Sequence, residues 1–224
     1  AAGGDVPVQS WPLATWPDGS LKWTAHALPA GVSPGDTGEI RPGTPVAPDR
    51  PVQVSETDGT IVVDTGVIRC VLARGGRTLV REITHGGKVI ARDGGLVCLL
   101  EHRADGARRE EAFAGEIGEV VVEQAGPVRA VVKFTGKHAT TAGGERRWLP
   151  FVVRLYFYAG GEAIRGLHTI VFDGDEQQDF IKGLGVRLTV PLRGALHDRH
   201  VRFAGEEGGL FGEAVRQLTG LRRD

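Results

Sequence analysis

The feature that most constrains the fold is a series of short apolar segments that runs from Thr60 almost to the end of the 224-residue chain. Each segment is as long as a β-strand, is rich in Val, Ile, Leu and aromatic residues, and is bounded by pairs such as GG, DG, GP or GD. Such residues favour strands, and such boundaries favour tight turns. The segments are TIVVDTGVIRCVLA, RTLVREITHGGKVIA, GLVCLLEHR, GEIGEVVVEQ, PVRAVVKFTGKH, RWLPFVVRLYFYAGG, EAIRGLHTIVFDGD, FIKGLGVRLTVPL and RHVRFAG. Roughly nine to eleven antiparallel strands at this spacing form a β-sandwich.

Helical periodicity is confined to LFGEAVRQLTGL, residues 210–221, and this segment contains Gly. We therefore expect one short helix there in an otherwise all-β protein. Residues 29–59 hold six prolines and little apolar periodicity, which is typical of a boundary between domains. The sequence thus predicts two parts, residues 1–50 and residues 55–224.

Three tryptophans, Trp11, Trp16 and Trp23, lie in or beside a predicted hairpin at residues 10–28. The stretch WPDGS at residues 16–20 predicts its turn, because Pro presets its own dihedral angle, Asp bonds the nearby backbone and Gly accepts a positive φ. Apolar and polar residues alternate after the turn, as in a strand with one buried face. We expect Trp23 in the core. Trp11 and Trp16 suit either the core or a platform on which a sugar stacks, and Trp16 is a candidate substrate-binding residue.

Charge and composition exclude some functions. The 27 Lys and Arg residues balance 28 Asp and Glu residues, so the net charge of −1 offers no basic field for nucleic acid. The sequence has no apolar run of about 18 residues, so we expect no contact with a membrane. Its first residues, AAGGDVPVQS, lack the features of an export signal, and the chain contains no Met. We therefore expect a segment of a longer protein.

The two cysteines, Cys70 and Cys98, each lie in an apolar run. The favoured interpretation is a pair of buried thiols that act as small apolar side chains, because no second group of ligands accompanies them. A disulfide between neighbouring strands remains an alternative.

The best polar constellation lies on the strands between residues 152 and 190. Arg154, Tyr156 and Tyr158 alternate with apolar residues and fall on one face of a strand, while His168 and Arg187 occupy later strands. Arg can hold a carboxylate through two hydrogen bonds, and Tyr or His can exchange protons, so the set fits an acidic sugar. A solvated outer face of a sandwich explains the same pattern, and both interpretations remain open.

Four carboxylates crowd the stretch FDGDEQQDF at residues 172–180: Asp173, Asp175, Glu176 and Asp179. Oxygen ligands crowded in a loop can hold Ca²⁺, but the spacing differs from that of an EF-hand. A solvated turn is the favoured interpretation, with calcium as the alternative.

Other motifs support no zinc, nucleotide or serine-hydrolase site. HExxH, P-loop and GxGxxG signatures are absent, and GVSPG at residues 31–35 lies among prolines rather than between a strand and a helix. The remaining histidines after the hairpin are expected in exposed loops or at strand ends; they are His85, His102, His138, His197 and His200.

Much of the chain resembles the bacterial proteins grouped with exo-acting rhamnogalacturonan lyases. The stretches that carry this resemblance are DVPVQSWPLATWPDGSLKWTAHAL, DTGVIRCVLARGGRTLVREITHGGKVIARDGGLVCLLE, TIVFDGDEQQDFIKGLGVRLTVPL and FAGEEGGLFGEAVRQLTGLRRD. The resemblance implies that residues 1–50 close a small N-terminal β-barrel and that residues 55–224 begin a central β-sandwich. It also implies a C-terminal α/α toroid, which this chain lacks.

The resemblance further implies a secreted polysaccharide lyase that needs no cofactor and binds a polysaccharide or oligosaccharide. Such lyases neutralise a uronate carboxylate, remove the C5 proton and expel the C4 oxygen. No residue of this chain is matched to a catalytic position of that family. The faces and chemistry of the side chains instead give Tyr156, Tyr158, His168 and Lys182 as proton-transfer candidates, and Arg154 and Arg187 as candidate carboxylate ligands. A non-catalytic glycan-binding or scaffold sandwich and a glycoside hydrolase remain as alternatives.

Overall fold

The computed structural model describes residues 4–32, 38–104, 106–205 and 208–215. Within these ranges the chain forms fourteen β-strands and one 3₁₀ turn at Leu196–Asp198. The strands are β1 (Gln9–Thr15), β2 (Leu21–Ala27), β3 (Gln53–Glu56), β4 (Thr60–Asp64), β5 (Ile68–Ala73), β6 (Val80–His85), β7 (Lys88–Ala104), β8 (Ala107–Ala125), β9 (Arg129–Thr140), β10 (Arg147–Tyr158), β11 (Arg165–Ile170), β12 (Asp179–Thr189), β13 (His200–Ala204) and β14 (Leu210–Ala214). The described part of the chain includes no helix long and apolar enough to cross a membrane.

One ten-stranded antiparallel sheet forms most of the structure, which confirms the expected all-β fold. Its strands follow chain order from β3 to β11, each paired with the next, and β12 returns to pair with β7. Short turns join many of these strands, so most strand pairs of the sheet are formed by segments that are close in the sequence. The β6–β7 turn, for example, uses Gly86 at φ 54° and Gly87 at φ 73°, a left-handed conformation that other residues adopt only at a cost.

The long sheet folds over on itself and encloses the main core. Ile61 and Val63 of β4 lie in the same buried cluster as Val132 and Phe134 of β9, although β5 to β8 separate these strands within the sheet. All four side chains are fully buried. Since burying one such side chain contributes about 1.5–3 kcal/mol, this cluster stabilises the contact between the two layers.

A bulge in β10 interrupts the ladder to β9 between Trp148 and Phe151. At its centre Leu149 has φ 51°, an unusual value for a residue other than Gly. Two side chains satisfy its backbone: Asp173 accepts a hydrogen bond from the Leu149 N–H at 2.6 Å, and His138 Nδ1 donates to the Leu149 carbonyl at 2.8 Å. The bulge therefore leaves no unpaired backbone group at this buried residue.

The hairpin predicted around residues 16–20 is confirmed as the turn between β1 and β2. The Trp16 N–H donates to the Ser20 carbonyl at 2.8 Å, and Gly19 adopts φ 84°. Asp18 accepts a hydrogen bond from the Ser20 N–H at 2.9 Å, as expected of Asp in a turn. Hydrogen bonding to Ser20 holds the pKa of the Asp18 carboxyl below its usual value.

The core position expected for Trp23 is wrong, because its side chain is 63% exposed. The alternation after the turn is real, but β1 and β2 pair only with each other, and no other layer of the described structure covers Trp23. Alternation predicts which side chains share a face. It does not predict whether that face is covered.

The chain divides into two compact units, Ala1–Thr189 and Val190–Asp224. In the second unit the helix expected at residues 210–221 is wrong over residues 210–214, which form β14 and pair with β13. Gly208 at φ 82° lies in the connection between these strands and allows the chain to turn back. Residues 210–214 therefore pair with the preceding apolar segment as a strand, despite their weak helical periodicity. Residues 216–221 lie outside the described ranges.

Candidate functional site

Strand β10 places the predicted polar residues on the outer face of the sheet. Phe151, Val153 and Phe157 are buried in the core, so the alternate residues Arg154 and Tyr156 point away from it. Tyr158 continues the same outer face. The predicted grouping of Arg154, Tyr156 and Tyr158 is therefore what the strand shows.

Arg154 is already paired with a carboxylate of the same protein. Its Nε lies 2.8 Å and its Nη2 3.0 Å from the two carboxylate oxygens of Glu123 on β8. The hydrogen bond from Arg154 holds the pKa of Glu123 below its usual value, and Lys133 lies 3.8 Å from the same carboxylate. The two hydrogen bonds that Arg154 was expected to donate to a sugar carboxylate are thus donated to Glu123 within the sheet.

The outer face has a second group of cations around Tyr156. The guanidinium of Arg129 lies 5.6 Å from the centre of the Tyr156 ring, and that of Arg165 lies 5.8 Å from it. Arg129 also lies 3.9 Å above the ring of Trp11. We call these four residues the arginine–aromatic patch. Within the described ranges neither Arg129 nor Arg165 has a carboxylate partner, so both charges are available to an anion.

The patch forms because three separate segments converge. Arg165 lies directly opposite Tyr156 in the β10–β11 pairing, and Arg129 begins β9. Gln9 fixes the hairpin beside them, because its side-chain oxygen accepts hydrogen bonds from the N–H groups of Val128, at 3.0 Å, and Arg129, at 2.8 Å.

Sequence reasoning missed two of the four patch residues, both arginines, and did not predict that Trp11 lies against Arg129. The alternation of β11 signals that Arg165 is polar and outward, but its position opposite Tyr156 depends on register. The Gln9 and Trp11 contacts join segments more than a hundred residues apart, and no local pattern predicts them.

His168 does not join Tyr156. It lies opposite Val153 in the β10–β11 pairing, which places it on the core-facing side of the sheet. There its ring centre is 6.1 Å from that of His138 and 6.3 Å from that of Phe151. Burial, reinforced by the charge of His138, lowers the pKa of His168. The structure thus separates this candidate from the two tyrosines.

His138 is fully buried, so the exposed position expected for it is wrong. Its place in β9, opposite Trp148, brings it into the core beneath the bulge. Burial lowers the pKa of His138, partly offset by the hydrogen bond to Leu149. The Nε2 atoms of His138 and His168 are both buried without a hydrogen-bond partner among the described residues.

Lys182 and Arg187 lie on β12, which the sheet order separates from β10 by β7, β8 and β9. Lys182 forms an ion pair with Glu110 of β8, and that hydrogen bond raises the pKa of Lys182. Arg187 is exposed and lies opposite Gly95 of β7. Trp16, half exposed at the hairpin turn, lies 4.2 Å from the amino group of Lys22. The predicted site residues therefore form several separate groups.

The acidic loop stabilises the fold through Asp179, which is 6% exposed. Asp179 accepts hydrogen bonds from His102 Nδ1 at 2.8 Å, from Arg146 at 2.9 Å and from the Asp175 N–H at 3.0 Å. Burial alone would raise the pKa of Asp179, but these hydrogen bonds hold it below its usual value. Across the described ranges, no three His, Cys, Asp or Glu side chains are grouped so as to hold a metal ion.

Both cysteines are buried and unpaired, as the favoured interpretation predicted. Burial raises the pKa of the Cys70 thiol to about 12 and that of Cys98 to about 11. Neither thiol has the lowered pKa that a nucleophile needs.

Comparison with known proteins gives two family matches and one relative. Residues 1–43 match the family model described as the PcRGLX-like N-terminal RIFT barrel domain, and residues 52–224 match that of the PcRGLX-like protein central beta sandwich domain. The chain is 39% identical over 220 residues to the "Uncharacterized protein YetA" of Bacillus subtilis (strain 168). The match covers 96% of this chain and 25% of that relative, so the chain spans about a quarter of its length.

Proposed function

Since this chain belongs to the PcRGLX-like family, whose barrel and sandwich domains it matches, we propose that it is part of a polysaccharide lyase. The enzyme would cleave a glycan that contains uronate and rhamnose, such as rhamnogalacturonan, by β-elimination. In this proposal residues 1–50 belong to a barrel, residues 55–224 belong to the sandwich, and the complete protein is secreted.

The arginine–aromatic patch is the observation that carries the proposal. Two guanidinium groups without carboxylate partners in the described structure flank Tyr156, and Trp11 lies beside one of them. Arginine binds carboxylates through charge-assisted hydrogen bonds, and an aromatic ring offers a flat apolar surface to the face of a sugar. An acidic saccharide presents both a carboxylate for the arginines and a flat sugar face for the aromatic rings.

Arg165 is the better candidate for the uronate carboxylate. Arg129 is half-buried and donates from Nε to the side-chain oxygen of Gln124 at 2.8 Å, whereas Arg165 is exposed. Arg154, whose guanidinium is bound to Glu123, would instead keep the sheet face in place. Tyr156 and Tyr158 remain the proton-transfer candidates on this face.

A glycan-binding role without catalysis in this segment is the second candidate. It is favoured because His168 faces the core and Lys182 is paired with Glu110, so neither belongs to the patch. In that case the patch would bind the saccharide, and other parts of the complete protein would perform the chemistry.

The deciding experiment incubates the complete protein with rhamnogalacturonan and other uronate polymers. The lyase proposal requires unsaturated products that absorb in the ultraviolet. New reducing ends without unsaturation would indicate a glycoside hydrolase, and binding without cleavage would indicate a glycan-binding module. Failure to bind any uronate polymer would refute both candidate functions.

Two matched arginine variants test the patch itself. We expect Arg165→Gln to weaken binding of an acidic oligosaccharide by about 10- to 150-fold, because a hydrogen bond to a charged group contributes about 1.5–3 kcal/mol. Arg154→Gln should change the affinity much less, because its guanidinium is bound to Glu123. Calorimetry with acidic and neutral oligosaccharides measures both. Equal losses in the two variants, or equal losses for both ligands, would contradict this assignment.

A further inference from the structure

Strand β12 leaves a long sheet edge open. Over Asp179–Thr189 it pairs with β7 on one side, and within the described ranges no strand pairs with its other side. The other two edge strands of the sheet are shorter: β3 covers only Gln53–Glu56 and is mostly polar, and β11 covers Arg165–Ile170. Proteins usually keep exposed edges short or charged, because an open edge is a template for another strand. β12 is longer, and its exposed residues include the aliphatic Ile181, Leu184, Val186 and Leu188.

Beyond the bulge between Ile181 and Gly183, three aliphatic side chains on β12 face the core side of the sandwich without cover. Leu184 lies opposite Cys98 and Val186 lies opposite Leu96, and both β7 partners are buried. Yet Leu184 is 39%, Val186 62% and Leu188 43% exposed. We call these three residues the β12 row. The β12 row lies on the same face as the buried residues of β7, but the described structure buries the β7 residues and leaves the β12 row exposed.

From residue 183 onward the other face of β12 lacks bulky apolar groups; before it, Phe180 lies on that face, opposite Glu101, with its ring 4.3 Å from the guanidinium of Arg103. Gly183 and Gly185 occupy the alternate positions, and Arg187 follows them. Over residues 183–189 the apolar residues are therefore confined to the core-facing side. This one-sided pattern is that of an interior strand of a sandwich layer, one face toward the core and one toward solvent. An edge strand with both faces in solvent would have no reason to carry one apolar face.

We propose that a further strand of the same polypeptide pairs with the open edge of β12 and covers the β12 row, extending this layer of the sandwich. The chain spans 25% of the length of its Bacillus relative, so the complete protein has ample additional chain to supply that strand. A strand added there would continue the layer that already contains Leu96 and Cys98, and its apolar side chains would lie beside Leu184 and Val186. This inference concerns assembly of the fold and does not depend on the proposed lyase activity.

Thiol labelling of the complete protein tests the proposal. In Val186→Cys the new side chain is close in size to the old one, and the native thiols of Cys70 and Cys98 are buried, so background labelling is low. Lys88→Cys, at the exposed β6–β7 turn, is the matched control. We expect Val186→Cys to react at least about 10-fold more slowly than Lys88→Cys in the folded protein, and at a similar rate in urea.

Equal labelling rates in the folded protein would overturn the proposal. Protection of Val186→Cys that disappears on dilution would also overturn it, because the cover would then be a second copy of the protein. Hydrogen exchange of the unmodified protein is the second measurement. Peptides from β12 should be protected at nearly all amides if both edges are paired, and rapid exchange of about half of them would refute a partner strand.

Discussion

Gly136 is the position at which the structure makes its sharpest prediction about stability. It lies in β9, opposite Ile117 of β8 and Phe151 of β10. A Cβ atom there would overlap the backbone carbonyl oxygen of Glu116 and would lie 2.7 Å from Cζ of Phe151. The Phe151 ring is buried and the Glu116 carbonyl belongs to the backbone, so neither can move aside without displacing a strand.

We therefore expect Gly136→Ala to destabilise the protein by about 3 kcal/mol or more, at or above the upper end of the usual cost of overpacking. For a chain of this size that loss lowers Tm by about 6–12 °C. Gly185→Ala is the control, because a Cβ at that position meets no atom within 4 Å. Alanine in a strand interior is favoured over glycine by roughly 0.5–1 kcal/mol, so this variant should be as stable as the parent or more so.

Thermal and urea unfolding, followed by circular dichroism, measure both variants. Unfolding of Gly136→Ala within about 1 °C of the parent would contradict the close approach of β8 to β9 at Gly136. A loss of similar size in Gly185→Ala would show instead that glycine is required for a reason other than contact.

Two further predictions concern titratable groups. Because burial lowers the pKa of His138 and of His168 below the ordinary value of 6.5, the unfolded chain binds protons more readily than the folded protein does. The free energy of unfolding should therefore be at its full value above pH 6.5 and fall as the pH drops below it toward the folded pKa values. Urea unfolding from about pH 7.5 to about pH 5.5 measures this slope, which His138→Gln should reduce; an unchanged slope would contradict the assignment. The second concerns Cys70 and Cys98, whose thiols stay protonated at neutral pH because burial raises their pKa to about 12 and about 11. A thiol reagent should label them only on unfolding, and rapid labelling of folded protein would show that they are accessible.

Several features of this protein follow from short-range sequence patterns alone. The alternation of Val153, Arg154 and Phe157 with their neighbours determines which side chains of β10 share a face, and the residues of WPDGS determine the first turn. Each of these is local, because a strand alternates with a period of two and a turn is set by its own residues. The resemblance to a lyase family was likewise carried by contiguous stretches.

The tertiary structure alone decided which of these residues meet. Register placed Arg165 beside Tyr156 and His168 on the opposite side, and the contact between Gln9 and the start of β9 brought Trp11 to Arg129. It also decided that Trp23 is exposed. Pairing and burial depend on strands that are distant in the chain, and a shift of one residue in any pairing would move every side chain of that strand to the other face. The chemistry of each residue was therefore readable from the sequence, whereas the composition of the site was not.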